Sequence, residues 1–166
     1  MKINLKELAV FSVLGAFMYI SKMIMEFLPN VHLLATLTIA FTLVWRQKAL
    51  YPITVFILLT GLFSGFAMWW VPYLYIWYVL WGAVMLLPNF KNRVIASAVY
   101  MALAAAHGFL YGVLYAPWQA FWMGLDWDAL LAWIVAGLPF DLIHGVSNLL
   151  CGALIIPIAA ALRRIK

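Results

Sequence analysis

The chain has 166 residues, of which 69% are apolar and 9% charged, with nine Trp and a formal net charge of +5. A soluble domain of this length does not hide that much apolar surface. The basic excess does not point to nucleic acid either, because basic patches for that purpose lie on water-exposed faces; it reads instead as a topology signal, and as a candidate contact for anionic lipid.

Nine of the ten Lys and Arg residues fall in four short clusters: Lys2 and Lys6; Arg46 and Lys48; Lys91 and Arg93; then Arg163, Arg164 and Lys166. Successive clusters are separated by enough chain for two crossings of a bilayer core, at roughly 20 apolar residues for about 30 Å. Cations remain on the cytoplasmic side, so all four clusters and both termini are expected inside. The expectation is an all-α membrane protein, a six-transmembrane-helix bundle forming one domain over residues 1–166. The connections near Pro29-Asn30, from Trp69 to Tyr73 and from Ala116 to Asp128 carry no Lys or Arg and read as external.

The first span is expected at about 5–28. Lys2 and Lys6 ahead of Leu8 to Ile20 also look like a secretory leader, but no Ala-x-Ala-like site follows, so a retained helix is expected. It carries a small-x-x-x-small pair, Ser12 and Ala16, flanked by Ala9 and Gly15, of the kind that lets helices approach. Lys22 and Glu26 stand one turn apart and can pair, either as a snorkelling interfacial pair or as the lining of a site for a zwitterionic or carboxylate-bearing ligand. Pro29-Asn30 forces a tight turn. The second span, 31–45, opens with His32 and is short by bilayer standards, so it is expected to start inside the protein.

Arg46-Gln47-Lys48 is an internal turn, after which the third span covers 49–69. Trp69-Trp70-Val71-Pro72-Tyr73 reads as an interfacial aromatic loop, with belt anchoring as its ordinary role and ring stacking on a ligand as the other. The fourth span, 73–87, bears the stripe Tyr73, Trp77 and Trp81. The fifth, 94–115, places His107, Tyr111 and Tyr115 on one face and ends before Pro117. Residues 118–136, with Asp126 and Asp128, are expected to lie along the outer surface. Gly137-Leu138-Pro139 is then expected to break the chain, with Pro139 opening the sixth span over 139–162. Gly61 with Gly65, and Gly108 with Gly112, are spaced for tight helix contacts.

The polar residues away from the cationic clusters gather toward the external end: Lys22, Glu26, His32, Asp141 and His144, with His107 nearer mid-depth. Intramembrane charge costs on the order of 2.5–3.5 kcal/mol per residue on insertion scales, so such groups face a cavity or a partner. In the sixth span Asp141, His144, Gly145, Asn148 and Gly152 share one helical face. Either this face holds a ligand, or Asp141 caps the helix begun by Pro139 while His144 and Asn148 bond to neighbouring helices. The lone Cys151 cannot form a disulfide within the chain. No phosphate-binding loop, His-Glu-x-x-His, Gly-x-Ser-x-Gly or Cys pair is present, so neither ATP hydrolysis nor a metal or cofactor centre is expected. Two other classes fit the residues: an intramembrane enzyme acting on a lipid or isoprenoid with Asp141 and His144 as acid and base, and a non-catalytic scaffold assembled through small-residue faces.

The size, the six expected helices with termini inside, the small-residue motif of the first helix, the last-helix run from Gly137 through Asp141 and His144 to Asn148, and the stretch from Phe27 to Leu33 together resemble the S components of energy-coupling factor transporters. These are substrate-binding membrane subunits. The resemblance implies a multi-pass protein of the bacterial cytoplasmic membrane, without catalysis of its own, that captures a vitamin or related small organic micronutrient from outside. It would deliver it inward with a transmembrane coupling subunit and two ATPases. It also implies that Asp141, His144, Asn148, His107, Tyr111 and the loop holding Trp69, Trp70 and Tyr73 contact the substrate. The first helix would meet the coupling subunit, with Ser12 where the family usually has the first Ala of Ala-x-x-x-Ala. Metal-transporting members use an N-terminal histidine; here Met1 is followed by Lys2, Ile3 and Asn4, so the expected substrate is organic.

Overall fold

A computed structural model describes residues 2–166; Met1, invoked above against a metal substrate, lies outside them. The described residues are all-helical. They form α1 (Leu5–Met25), α2 (Leu34–Trp45), α3 (Leu50–Ser64), α4 (Tyr73–Leu86), α5 (Arg93–Phe109), α6 (Tyr111–Met123), α7 (Trp127–Gly152) and α8 (Ile155–Leu162), with 3-10 turns at Arg46–Ala49 and Met68–Trp70. Five helical runs are long and apolar enough to cross a membrane: Leu5–Met25, Leu34–Ser64, Met68–Leu86, Arg93–Met123 and Trp127–Gly152. Their outer surfaces expose Val13, Ile24, Leu62, Val135 and Leu150. So much exposed apolar surface suits lipid rather than water, and the chain is compatible with a multi-pass membrane protein.

The helix starts follow from local chemistry. Asn4 caps α1: its side chain accepts the Glu7 amide at 2.8 Å, and Glu7 accepts the Asn4 amide in return at 3.1 Å, a capping box that satisfies two otherwise orphaned donors. The other Glu7 oxygen pairs with Lys48 at 2.6 Å, tying the start of α1 to the turn after α2. Within the run Leu34–Ser64 the chain redirects at Arg46, whose φ of 54° lies outside the right-handed helical region. Asn92 likewise caps α5 through the Val94 and Ile95 amides.

The interior is organised around α2, which touches α1, α4, α5, α7 and α8. A helix apolar on every side must be enclosed by protein, and every α2 residue except Leu43 is buried. Its Thr42 hydroxyl returns to the Thr38 carbonyl at 2.7 Å, the usual way a buried threonine satisfies its donor inside a helix. Around this axis α1 packs along α3, and α5 along α7.

The cationic turns meet at one end. Arg46 lines one cavity with Lys91, Arg93 and Arg163 and another with Glu7, Lys48 and Lys166, while the Lys166 ammonium donates to the Val44 carbonyl at 2.8 Å. Lys22 lies at the other end, beside His32 and Tyr73.

The second half of the chain departs from its expected layout. Pro117 does not end a helix: it sits inside α6, which follows α5 after a kink at Leu110. The expected surface segment 118–136 is not one element, because residues 118–123 finish α6 and α7 starts at Trp127, capped by Asp126 through the Ala129 amide at 2.8 Å. Gly137-Leu138-Pro139 is no break either. Pro139 lies within α7; a proline removes only one ladder bond, and apolar helices tolerate that loss. The last run instead turns at Ala153-Leu154, before α8. Gly65 is also not a packing residue: it follows α3 with φ 95° and open space around it.

Candidate functional site

The face of α7 that carries the polar residues is the seam between α7 and the α5–α6 pair. The kink at Leu110 leaves the first amides of α6 without intrahelical acceptors, as at any helix start. The Asp141 carboxylate supplies one from across the seam: its oxygens stand 3.0 and 3.1 Å from the Gly112 nitrogen. A negative group there also meets the positive end of the α6 dipole. Asp141 therefore caps α6 in trans, rather than a helix begun by Pro139. A Cβ on Gly112 would collide with that carboxylate.

One turn on, Gly145 faces Gly108. A Cβ on Gly108 would lie 2.8 Å from the Gly145 Cα and nitrogen, so the two backbones approach as closely as backbones can. Asn148, fully buried, donates to the Ala104 carbonyl at 3.1 Å, and Gly152 gives room to Met101. Four of the five polar or small residues on this face thus serve the helix contact. Replacing Asp141 by Ala is expected to lower stability by about 1–3 kcal/mol, the cost of orphaning a buried amide. Thermal unfolding in detergent, with Asp141→Asn as the milder comparison, checks it.

His144 is the exception. Its ring lies 4.6 Å from His32 and 4.9 Å from Tyr111, centroid to centroid, and it reaches a cavity of about 200 Å³. That cavity is enclosed by Lys22, Glu26, His32, Tyr73, Tyr111 and His144, with Met25 and the turn at Pro29, Asn30 and Val31 completing its rim. The turn closes because Asn30 adopts φ 60°, a left-handed conformation that asparagine tolerates better than most residues. Lys22 and Glu26 face each other at 3.5 Å, a loose pair that leaves both groups capacity for other partners.

Behind the cavity-lining His32, Tyr73 and Tyr111 lies Trp77, fully buried and ringed by these three with Phe56 and His107 at 5.5–6.2 Å. Three nitrogens in this cluster, Trp77 Nε1, His107 Nδ1 and His144 Nε2, are buried without a hydrogen-bond partner, as is His32 Nδ1. Buried polar groups are nearly always paired; of these four residues His32 and His144 line the cavity, whereas Trp77 and His107 stand behind it. His107 itself stands behind Trp77, its Nε2 3.3 Å from the Ile76 carbonyl.

Trp69 and Trp70 do not border the cavity. Trp70 donates from its indole to the Ile57 carbonyl, Tyr115 to the Trp69 carbonyl and Trp118 to the Met68 carbonyl, each at 2.8 Å, so this loop is pinned onto α3 and α6. On α1, Ala9 and Ser12 are exposed and Ala16 half-buried, leaving them open to a partner helix. Gly15 is not: it is buried against α3, where a Cβ would lie 2.8 Å from the Pro52 carbonyl oxygen. The structure thus gathers Lys22, Glu26, His32, Tyr73, Tyr111 and His144, and leaves Asp141, Asn148, His107, Trp69 and Trp70 outside. Sequence reasoning missed Met25, Leu28 and Val31 as rim residues, which left no signal in the spacing; Trp77, behind the lining, is the middle of the Tyr73, Trp77 and Trp81 stripe. Among the described residues no group of three metal-ligating side chains could hold a metal ion. Comparison of the chain with protein families, curated proteins and solved structures returns no match.

Proposed function

We propose that this chain is the substrate-binding membrane subunit of an uptake transporter of the energy-coupling factor type, which captures a small organic solute in the cavity around His144. In this reading the chain crosses the membrane six times, by α1, α2, α3, α4, the α5–α6 pair and the α7–α8 pair. The cationic end and both termini face the cytoplasm, by the bias of basic turns, and the cavity opens outward. The observation that carries the reading is the cavity opposite the cations, lined by His32, His144, two tyrosines and the Lys22–Glu26 pair.

Its lining indicates the solute. At about 200 Å³ it falls below the roughly 300–1,000 Å³ of sites for drug-sized ligands, which favours a compact molecule. Lys22 and Glu26 offer opposite charges at the rim, the imidazoles offer donors or acceptors, and Tyr73 and Tyr111 offer ring faces. That combination suits a carboxylate-bearing or zwitterionic micronutrient with a flat portion. Release inward would need a coupling subunit and ATPases, since the chain has no nucleotide-binding loop; the exposed Ala9 and Ser12 on α1 are the proposed contact.

An enzyme acting on lipid is the competing reading, and it needs Asp141 and His144 as an acid–base pair. The hydrogen bonds of Asp141 go to Gly112 instead, which favours uptake. The test is accumulation of radiolabelled water-soluble vitamins by cells expressing the chain together with a coupling module. ATP-dependent uptake of one compound above cells lacking the chain is expected. Equal accumulation with and without it, across the panel, contradicts the proposal.

A further inference from the structure

A second cavity, of about 250 Å³, lies at the cationic end, and Arg46, Lys91, Arg93 and Arg163 stand around it. They arrive from three places: the turn after α2, the connection into α5, and the end of α8. The chain contains five acidic residues, and none lines this cavity. Glu7 and Glu26 are paired with Lys48 and Lys22, Asp141 holds the Gly112 amide, Asp126 caps α7, and Asp128 sits in its first turn. The four cations thus have no carboxylate among themselves, and an anion from outside would relieve their mutual repulsion.

The cavity is also built, not merely charged. The Arg46 backbone, held at φ 54°, is fixed by the Trp81 indole donating to its carbonyl at 3.1 Å, and its guanidinium donates to the Met85 carbonyl at 3.2 Å. Behind the cations the wall has an apolar part, formed by Leu43, Phe90, the half-buried Ile156 and the buried Ala159, beside Asn89 and Tyr100. Val94 and Ile95, next to Arg93, are exposed and carry the apolar surface away from the cationic rim.

We propose that this cavity binds the phosphate of an anionic phospholipid headgroup, with the glycerol and first acyl carbons against the apolar wall. Guanidinium groups bind phosphate oxygens by paired, charge-assisted hydrogen bonds. A lipid rather than a free phosphate is the occupant, because only a lipid uses the apolar wall. This inference does not depend on the transport reading.

Native mass spectrometry of the purified full chain in detergent tests it, with phosphatidylglycerol, phosphatidylcholine and glycerol 3-phosphate as the compounds added. Phosphatidylglycerol is expected to be retained over phosphatidylcholine and not to be displaced by glycerol 3-phosphate. The double variant Arg93→Ala/Arg163→Ala should weaken its retention about 30-fold, at roughly fivefold per charge. Lys2→Ala/Lys6→Ala removes the same charge at the same end but outside the cavity, and should leave retention unchanged. Equal losses in the two doubles, equal retention of the two lipids, or displacement by glycerol 3-phosphate would each overturn the proposal.

Discussion

Gly108→Leu is expected to abolish the folded state, and Gly108→Ala to cost about 1–3 kcal/mol, the usual range for overpacking a tight interior. The reason is what a side chain there would meet. The Gly145 Cα and nitrogen and the His144 carbonyl carbon all lie 2.8 Å from a Cβ at this position, and backbone cannot turn aside as a flexible side chain can. α7 would have to move as a unit. That movement would pull Asp141 from the Gly112 amide and Asn148 from the Ala104 carbonyl, so several contacts fail together. Gly82 provides the contrast: it stands in α4 with nothing within 4 Å of a Cβ. Gly82→Ala is expected to be neutral or to stabilise by up to about 1 kcal/mol through helix propensity. Thermal unfolding in detergent, followed by circular dichroism, separates the two sites; similar melting of Gly108→Leu and the unaltered chain would contradict this packing.

The second large effect concerns the cavity. His144→Ala and Lys22→Met are each expected to weaken binding of the captured solute by about 10- to 100-fold, the range for a hydrogen bond to a charged group, roughly 1.5–3 kcal/mol. Asp141→Asn and Asn148→Ala, on the same face of α7 as His144, are expected to lower melting temperature while leaving affinity unchanged, because their side chains serve Gly112 and Ala104. Titration calorimetry on each variant, with whichever vitamin binds the unaltered chain, reads the division. If Asp141→Asn lost as much affinity as His144→Ala, the assignment of Asp141 to the helix seam would be wrong.

That division explains how much of the site could be read from sequence. Steps of three and four place Asp141, His144, Gly145, Asn148 and Gly152 on one face of a helix, and this face is a single contact surface in the structure. Spacing does not say what a face meets. The partner of Asp141 is a backbone amide freed by the kink at Leu110, and no residue type announces that kink. The partner of Asn148 is a backbone carbonyl, equally invisible in sequence. Lys22, Glu26 and His32 were easier to associate with the cavity, because they flank one short turn and stay close to each other wherever it lies.

The same limit governs the helix boundaries. Pro139 and Pro117 read as breaks because a proline removes an amide and crowds the preceding turn; inside α7 and α6 the bonds on either side keep the helix continuous. The approach of Arg46, Lys48 and Lys166 at one end is legible, because the spacing of the cationic clusters predicts that they share one side. Their contacts with Glu7 and the Val44 carbonyl were not. For the small residues, spacing found Gly108 and Gly112 but also Gly65, which turns the chain, and Gly15, which packs inward on α3.

Capture of a small organic solute against His32, Tyr73 and Tyr111, the proposed role of the cavity, is measured most directly by the emission of Trp77 behind them. Purified full chain titrated with a panel of water-soluble vitamins is expected to show saturable quenching by one of them, with the quenching largely lost in Trp77→Phe, whose ring still fills much of the space behind the lining. Absence of saturable quenching by every compound, or quenching of the same size in Trp77→Phe, would contradict it.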